Sequence, residues 1–205
     1  MWVRVKKNKA VIILFIFTFF VLVIPIIFKL FLDFNNSNIE KEISHIDYYG
    51  YSLTTNDTKL YKDTYDELAD VLNEDIVDYE EYAKLISKLF VIDVFTLNNK
   101  ASSTDIGGLE FVHNDLKDNF KENMGANLYS SVLSNISGTR EQKLPVVSAV
   151  NITNIVKDKY EYYGVSYDSY VVDCGILYEE DMGYQNKITL TLIRLDNKIY
   201  VVKGK

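Results

Sequence analysis

Residues 78–97 read DYEEYAKLISKLFVIDVFTL, and this stretch decides the fold. Tyr79, Tyr82, Leu85, Ile86, Leu89, Phe90 and Val94 recur at helical spacing and make one broad apolar stripe, so the segment reads as a helix with a wide buried face. Inside it, Asp93 stands in the context LFVIDVF. A carboxylate among large apolar neighbours is costly unless a partner satisfies it. Asp93 is therefore either a structural carboxylate bonded to backbone amides or a lysine, or the acid of a pocket that raises its pKa.

Upstream, TTNDTKLYKDTYDELADVLN (54–73) offers Thr54, Thr55, Asn56 and Asp57 as N-caps. Leu60, Tyr61, Tyr65, Leu68, Val71 and Leu72 follow at helical spacing, which predicts an amphipathic helix over 57–72. The short NED link at 73–75 turns the two helices back on one another. Before them, IDYYGYSL (46–53) suits a first strand or an extended entry.

Downstream, NNKASSTDIGG (98–108) has the residues of a loop. LEFVHND then leads into a third helix, capped by Asn114 or Asp115, with Leu116, Phe120, Met124, Leu128 and Val132 facing inward and an end near Gly138 and Pro145. After Pro145 the period changes to that of strands. VVSAVNITNIV alternates, YEYYGVSY is aromatic and flexible, and KITLTLIRL pairs with KIYVVK across a tight Asp196-Asn197 hairpin. The fold class is α+β, with three helices packed on a curved antiparallel sheet of four to five strands.

At the N-terminus, AVIILFIFTFFVLVIPIIFKLFL (10–32) is long and apolar enough for a membrane helix, which needs about 20 residues. Arg4, Lys6, Lys7 and Lys9 precede it, so residues 1–9 form a basic cytoplasmic tail and the C-terminal domain is extracytoplasmic. The run exceeds a signal h-region and lacks a small-residue cleavage site, which favours an uncleaved anchor. Polar, Asn-rich residues 33–45 read as a tether, and 46–205 as the extracytoplasmic domain.

The whole chain has 205 residues, 22 basic and 29 acidic. The first 32 residues hold five of the basic ones and no acidic one, so the exported part has a net charge near −12. Such a surface repels phosphate backbones, and nucleic acid is not an expected partner. The single cysteine, Cys174, excludes an intrachain disulfide and cysteine-based metal clusters. Two histidines, His45 and His113, leave no usual metal or proton-transfer set. No nucleophile with an adjacent base can be assembled, so no catalytic residue, metal or cofactor is expected.

A functional surface, if the loops carry one, is expected in STDIGGLEFVHN (103–114), with Asp105, Gly107, Gly108, Glu110 and His113 as candidate contacts. The two glycines permit turns barred to other residues, and they serve equally well to bend the chain between elements. Asp93 is the candidate pocket carboxylate. Tyr160, Tyr162, Tyr163, Tyr167, Tyr170 and Tyr178 suit either a ligand cavity or core and interface packing.

The order of two helices, a short extended piece, a third helix and a meander of strands over about 48–203 resembles the nuclear-transport-factor-two-like cone fold. Behind one membrane helix it resembles the inner-membrane scaffold subunits of type IV secretion and conjugation machines. LFVIDVFTLNNK and DIGGLEFVH also resemble uncharacterised single-span surface proteins of low-GC Gram-positive bacteria. The resemblance implies a cone-like, non-enzymatic interaction or scaffold domain of the cell envelope, with an envelope protein or a second copy as partner. The other reading is a small-ligand-binding or hydrolytic domain using a tyrosine-lined cone cavity.

Overall fold

The computed structural model of the chain describes residues 21, 23–26 and 42–205. The chain divides into two compact units, 1–39 with 136–139, and 40–135 with 140–205. In the first, Val21 and residues 23–26 are helical, and 136–139 form a turn with Gly138 at φ 70°. Most of the expected span at 10–32 lies outside the described residues, as does all of the cytoplasmic tail. Among the described residues no helix is long and apolar enough to cross a membrane.

The second unit is α+β. Its elements are strands β1 (Glu42–Ile46) and β2 (Tyr51–Thr54), helices α1 (Lys59–Leu72), α2 (Tyr79–Phe95) and α3 (Asn114–Ala126), then strands β3 (Val147–Tyr162), β4 (Val165–Tyr178), β5 (Lys187–Leu195) and β6 (Lys198–Gly204). β1 and β2 form a two-stranded sheet, and β3-β4-β5-β6 an antiparallel four-stranded one in sequence order. The β5–β6 hairpin turns at Asp196, whose φ of 53° is tolerated by the short Asp side chain.

Each helix starts where a side chain can accept from an orphan amide. Thr58 accepts from Tyr61 N–H ahead of α1, and Asp78 accepts from Glu80 and Glu81 N–H ahead of α2. The α1 cap is one residue beyond the four expected candidates. α2 is the centre of the unit: it packs against α1 and also against β3, β4 and β6. Its burial extends past the predicted stripe, since Ala83, Ser87, Val91, Ile92 and Phe95 are buried too. Ser87 escapes an unpaired hydroxyl by donating to Ala83 C=O at 2.7 Å.

Three expectations change. β1 takes Glu42–His45 from the expected tether; its side chains are exposed, so no apolar alternation marks it in sequence. α3 stops at Ala126 rather than continuing toward Gly138, because Tyr129 turns inward and donates to Val94 C=O at 2.8 Å. The aromatic segment at 160–167 is not a flexible link but the tip of one long hairpin, turning at Tyr163 and Gly164 with φ of 51° and 74°. Register shifts at Val147/Ala149 and Ile152/Asn154 mark bulges, which bend and twist β3.

Leu68 of α1 and Leu89 of α2 are both fully buried. Replacing either by Ala is expected to cost about 2–5 kcal/mol in urea melts of the chain from Asn38 onward, through lost transfer energy and a residual cavity. Lys88→Ala should cost no more than about 0.5 kcal/mol.

Candidate functional site

The fold brings Asp93 and the 103–114 loop together. Asp93 lies near the end of α2, and its Oδ2 accepts from Gly108 N–H at 2.5 Å while its Oδ1 pairs with Lys100 Nζ. Both charges are nearly enclosed, with side-chain exposures of 18% and 9%. Burial alone would lower the Lys100 pKa, but the Asp93 carboxylate, with Tyr129 and Asp105 beyond it, holds it above the ordinary lysine value. On the alkaline side, the Lys100 contribution is therefore intact up to the ordinary lysine value of about 10.4 and is lost as pH rises through the folded value.

The glycine pair is required by this approach. A Cβ on Gly107 would strike the backbone carbonyl of Asp93, and one on Gly108 would stand 2.6 Å from Val94 Cγ2 at a φ of 79°. Gly107 N–H donates to Tyr129 Oη at 3.1 Å, so Tyr129 ties the loop to the end of α2 from the other side. The bend is thus the glycines' physical task.

Glu110 faces the N-terminal hairpin. Its Oε2 accepts from Ser52 N–H at 3.0 Å and Ser52 Oγ at 3.1 Å, and its Oε1 from Tyr61 Oη at 2.7 Å. Burial raises its pKa, and the bonds from Tyr61 and Ser52 oppose that shift without cancelling it. Asp105 accepts from Ala101 N–H at 2.7 Å, and Asp57 from Thr54 N–H at 2.6 Å. These carboxylates and Asp93 border a cleft of about 260 Å³. Each of the four already receives a protein donor, so the cleft is an internally bonded polar seam. Among the described residues no group of three or more His, Cys, Asp or Glu is arranged to hold a metal.

His113 lies apart from that seam, as the α3 N-cap. Its Nδ1 accepts from Asp115 N–H at a long 3.4 Å and lies 3.2 Å from Tyr162 Oη. Its ring meets Tyr162 and Tyr200 edge to face. Of the tyrosines expected around a cavity or in packing, Tyr160, Tyr162, Tyr163 and Tyr167 sit on the outer β3–β4 ribbon, whereas Tyr170 is buried and Tyr178 half-buried on β4. Helical spacing marks Tyr61, Tyr65 and Tyr82 as inward-facing, and no periodicity marks Tyr51 or Tyr129. Tyr51, Tyr61, Tyr65, Tyr82 and Tyr129 are buried. Tyr51 and Tyr82 hydroxyls meet at 2.6 Å, and Tyr51 Oη donates to Ile199 C=O at 3.2 Å. Cys174 is buried on β4, and desolvation with nearby Asp173 pushes its thiol up to about 12, so it is an inert apolar group.

A second concavity, unmarked by any motif, opens between α3 and β6. It measures about 440 Å³, with Phe90, Val94, Phe120, Met124 and Val201 among its apolar lining. It exists because α3 buries none of its residues fully, leaving the stripe expected to face inward only half covered.

Asp93→Ala is expected to destabilise the unit by about 3–5 kcal/mol, because Lys100 stays buried without its counter-charge; Gly107→Ala should cost at least about 1–3 kcal/mol by overpacking. Urea melts check both. For Glu110 the folded pKa lies above the free value of about 4.3, so the folded state holds the extra proton and stability from this group falls as pH rises through that window. Glu110→Gln should lack this decline, so the parent's melting minus that of the variant should fall as pH rises through that window. No protein-family model matches the chain, and no curated protein or solved structure gives a significant match.

Proposed function

We propose that the chain is a non-enzymatic, single-pass membrane-anchored interaction domain of the bacterial cell envelope, anchored by residues 10–32 with its N-terminus cytoplasmic and its C-terminal domain extracytoplasmic. The observation that carries the reading is the β3–β4 ribbon. β5 pairs with β4 only over Ser169–Gly175, so beyond Ser169 the two long strands pair only with each other. β3 is also an edge of the four-stranded sheet.

The ribbon is pinned as well as extended. Lys157 pairs with Glu80 of α2 at 3.0 Å, Asp168 joins Lys159 and Arg194, and Tyr162 rests on His113. Its apolar side chains Val156, Tyr163 and Val165 are 48%, 78% and 51% exposed. An ordered edge strand with exposed apolar residues suits strand addition by a partner, where backbone bonds give affinity and alternate side chains give specificity. The partner is another envelope protein or a second copy.

The element order and the bulged β3 also support the cone-like reading, and with it kinship to inner-membrane scaffold subunits of secretion and conjugation machines. Tyr163→Glu with Val165→Glu should leave the urea melt unchanged and abolish the partner recovered in affinity pull-downs from solubilised membranes. Recovery of this chain alone from the parent, in every detergent, would refute the proposal. Protease added to intact cells should remove a C-terminal epitope and spare an N-terminal one; survival of both would refute the topology.

A further inference from the structure

Of the two outer strands of the four-stranded sheet, β6 is partly covered: Val201 N–H donates to Phe111 C=O at 2.8 Å, and Val112 bridges Val201 in parallel. β3 is the open edge, and its outer half carries Lys157, Asp158, Lys159 and Glu161, all exposed. Lys157 pairs with Glu80 and Lys159 with Asp168. Glu161 stands opposite Ser166 and has no cation within ion-pair distance among the described residues. Lysines on an edge ordinarily discourage a second strand. A strand that adds here must therefore set an acid against Lys159 and a cation against Glu161, and the same strand of a second copy supplies both.

The register of such a pair is tightly restricted. Opposed side chains of antiparallel strands share a face of the sheet, so a two-fold axis sets one residue against its own copy. A centre at Lys157, Asp158, Lys159 or Glu161 sets that charge against itself, and the Asp158 centre also opposes Lys157 to Lys159. Centres before Val156 run into the bulge at Ile152/Asn154, and a centre at Tyr162 runs into the turn at Tyr163 and Gly164. Val156 at the centre opposes no like charges, yet it joins no opposite ones and sets Ile155 against Lys157. Tyr160 at the centre sets Lys159 against Glu161 on both sides of the axis, Asp158 against Tyr162 on both sides, and the Tyr160 ring against its own copy.

We infer that two copies of the chain pair antiparallel through their β3 edges about a two-fold axis at Tyr160, with Lys159 of each copy opposite Glu161 of the other. The inference rests on the ribbon reading and names its partner. Pairing joins the two four-stranded sheets into one and closes the edge that each copy leaves open. Charge fixes the register, and the backbone ladder supplies the attachment.

The test adds one cysteine at a time to the full chain in mild detergent and oxidises it; the parent, whose Cys174 is buried, is the blank. Tyr160→Cys puts thiols on directly opposed residues, with Cα atoms about 4.5–5.5 Å apart, and should give a disulfide-linked dimer. Asp158→Cys leaves them about 13 Å apart along the strands and should not. Lys159→Cys mixed with Glu161→Cys should give a mixed dimer. Either of these alone puts its thiols on a diagonal of about 7–8 Å, beyond the bridging limit of about 7 Å. Adding Lys159→Glu to Tyr160→Cys should raise the protein concentration for half-linkage about tenfold, and adding Glu161→Lys as well should restore it. Because Asp168 stays unpaired in both, restoration reads the contact between copies and not the one within the chain. Each variant should keep the parent's circular-dichroism melt. No linkage at Tyr160→Cys and none in the mixed pair, or equal linkage at Asp158→Cys, would overturn the self-pairing. If Tyr163→Glu with Val165→Glu still strips a partner from pull-downs in that case, the ribbon reading stands with another protein on the edge; if it strips none, both readings fall.

Discussion

Burial of α2 on all sides is the constraint from which the rest of the unit follows. A helix clad by α1 on one side and by three strands of the sheet on the other can carry almost no unpaired polar group. Its polar residues are accordingly arranged. Lys84 reaches back to Glu80 and Glu81 at the helix start, Ser87 bonds its own backbone, and Tyr82 shares its hydroxyl with Tyr51. The tyrosine pair then fixes the N-terminal hairpin and β6 to the same helix, because both Tyr51 and Tyr82 hydroxyls also meet the backbone of Ile199.

Asp93 is the exception that organises the loop side. An acid in a buried helix needs a cation and an amide, and the chain supplies both from one excursion: Lys100 as it leaves α2, Gly108 as it returns. Each requirement generates the next. The amide can come close enough only if residue 107 has no side chain, and the returning chain is held by Tyr129, which ends α3 early to reach it. A truncated α3 leaves Phe120 and Met124 half covered. The apolar groove is in this sense a remote product of placing one carboxylate in the core.

The sequence made local matters legible and hid the long-range ones. α1 and α2 were readable because their apolar residues repeat at 3.6 and their caps are Thr and Asp within a residue of the pattern's start. The Asp196-Asn197 hairpin was readable from its turn residues, and Asp93 and Gly107-Gly108 stood out as locally unusual. That the two would bond was not readable, since the partners are joined by geometry rather than spacing. β1 was invisible because its strand pairing is a backbone matter and its side chains face solvent. α3 was overextended because Leu128 and Val132 continue a helical period that Tyr129 overrides by tertiary bonding. Whether a helical stripe meets a partner or a void depends on what the other elements leave over, and the period is the same in either case.

The hydrogen bond from Tyr51 to Ile199 joins residues 148 apart in sequence. Nearly the whole unit is the loop that this contact closes, so it is among the costliest contacts to bring together and forms late. β3 and β4 can zip locally and α1 and α2 can dock early, but the Tyr51 hydroxyl meets Ile199 C=O only once β6 has joined the sheet. A chain in which β6 has not yet joined the sheet is therefore a nearly complete unit with one unsealed flank, and the last strand to dock is also the one that ties Tyr51 and Tyr82 to the sheet.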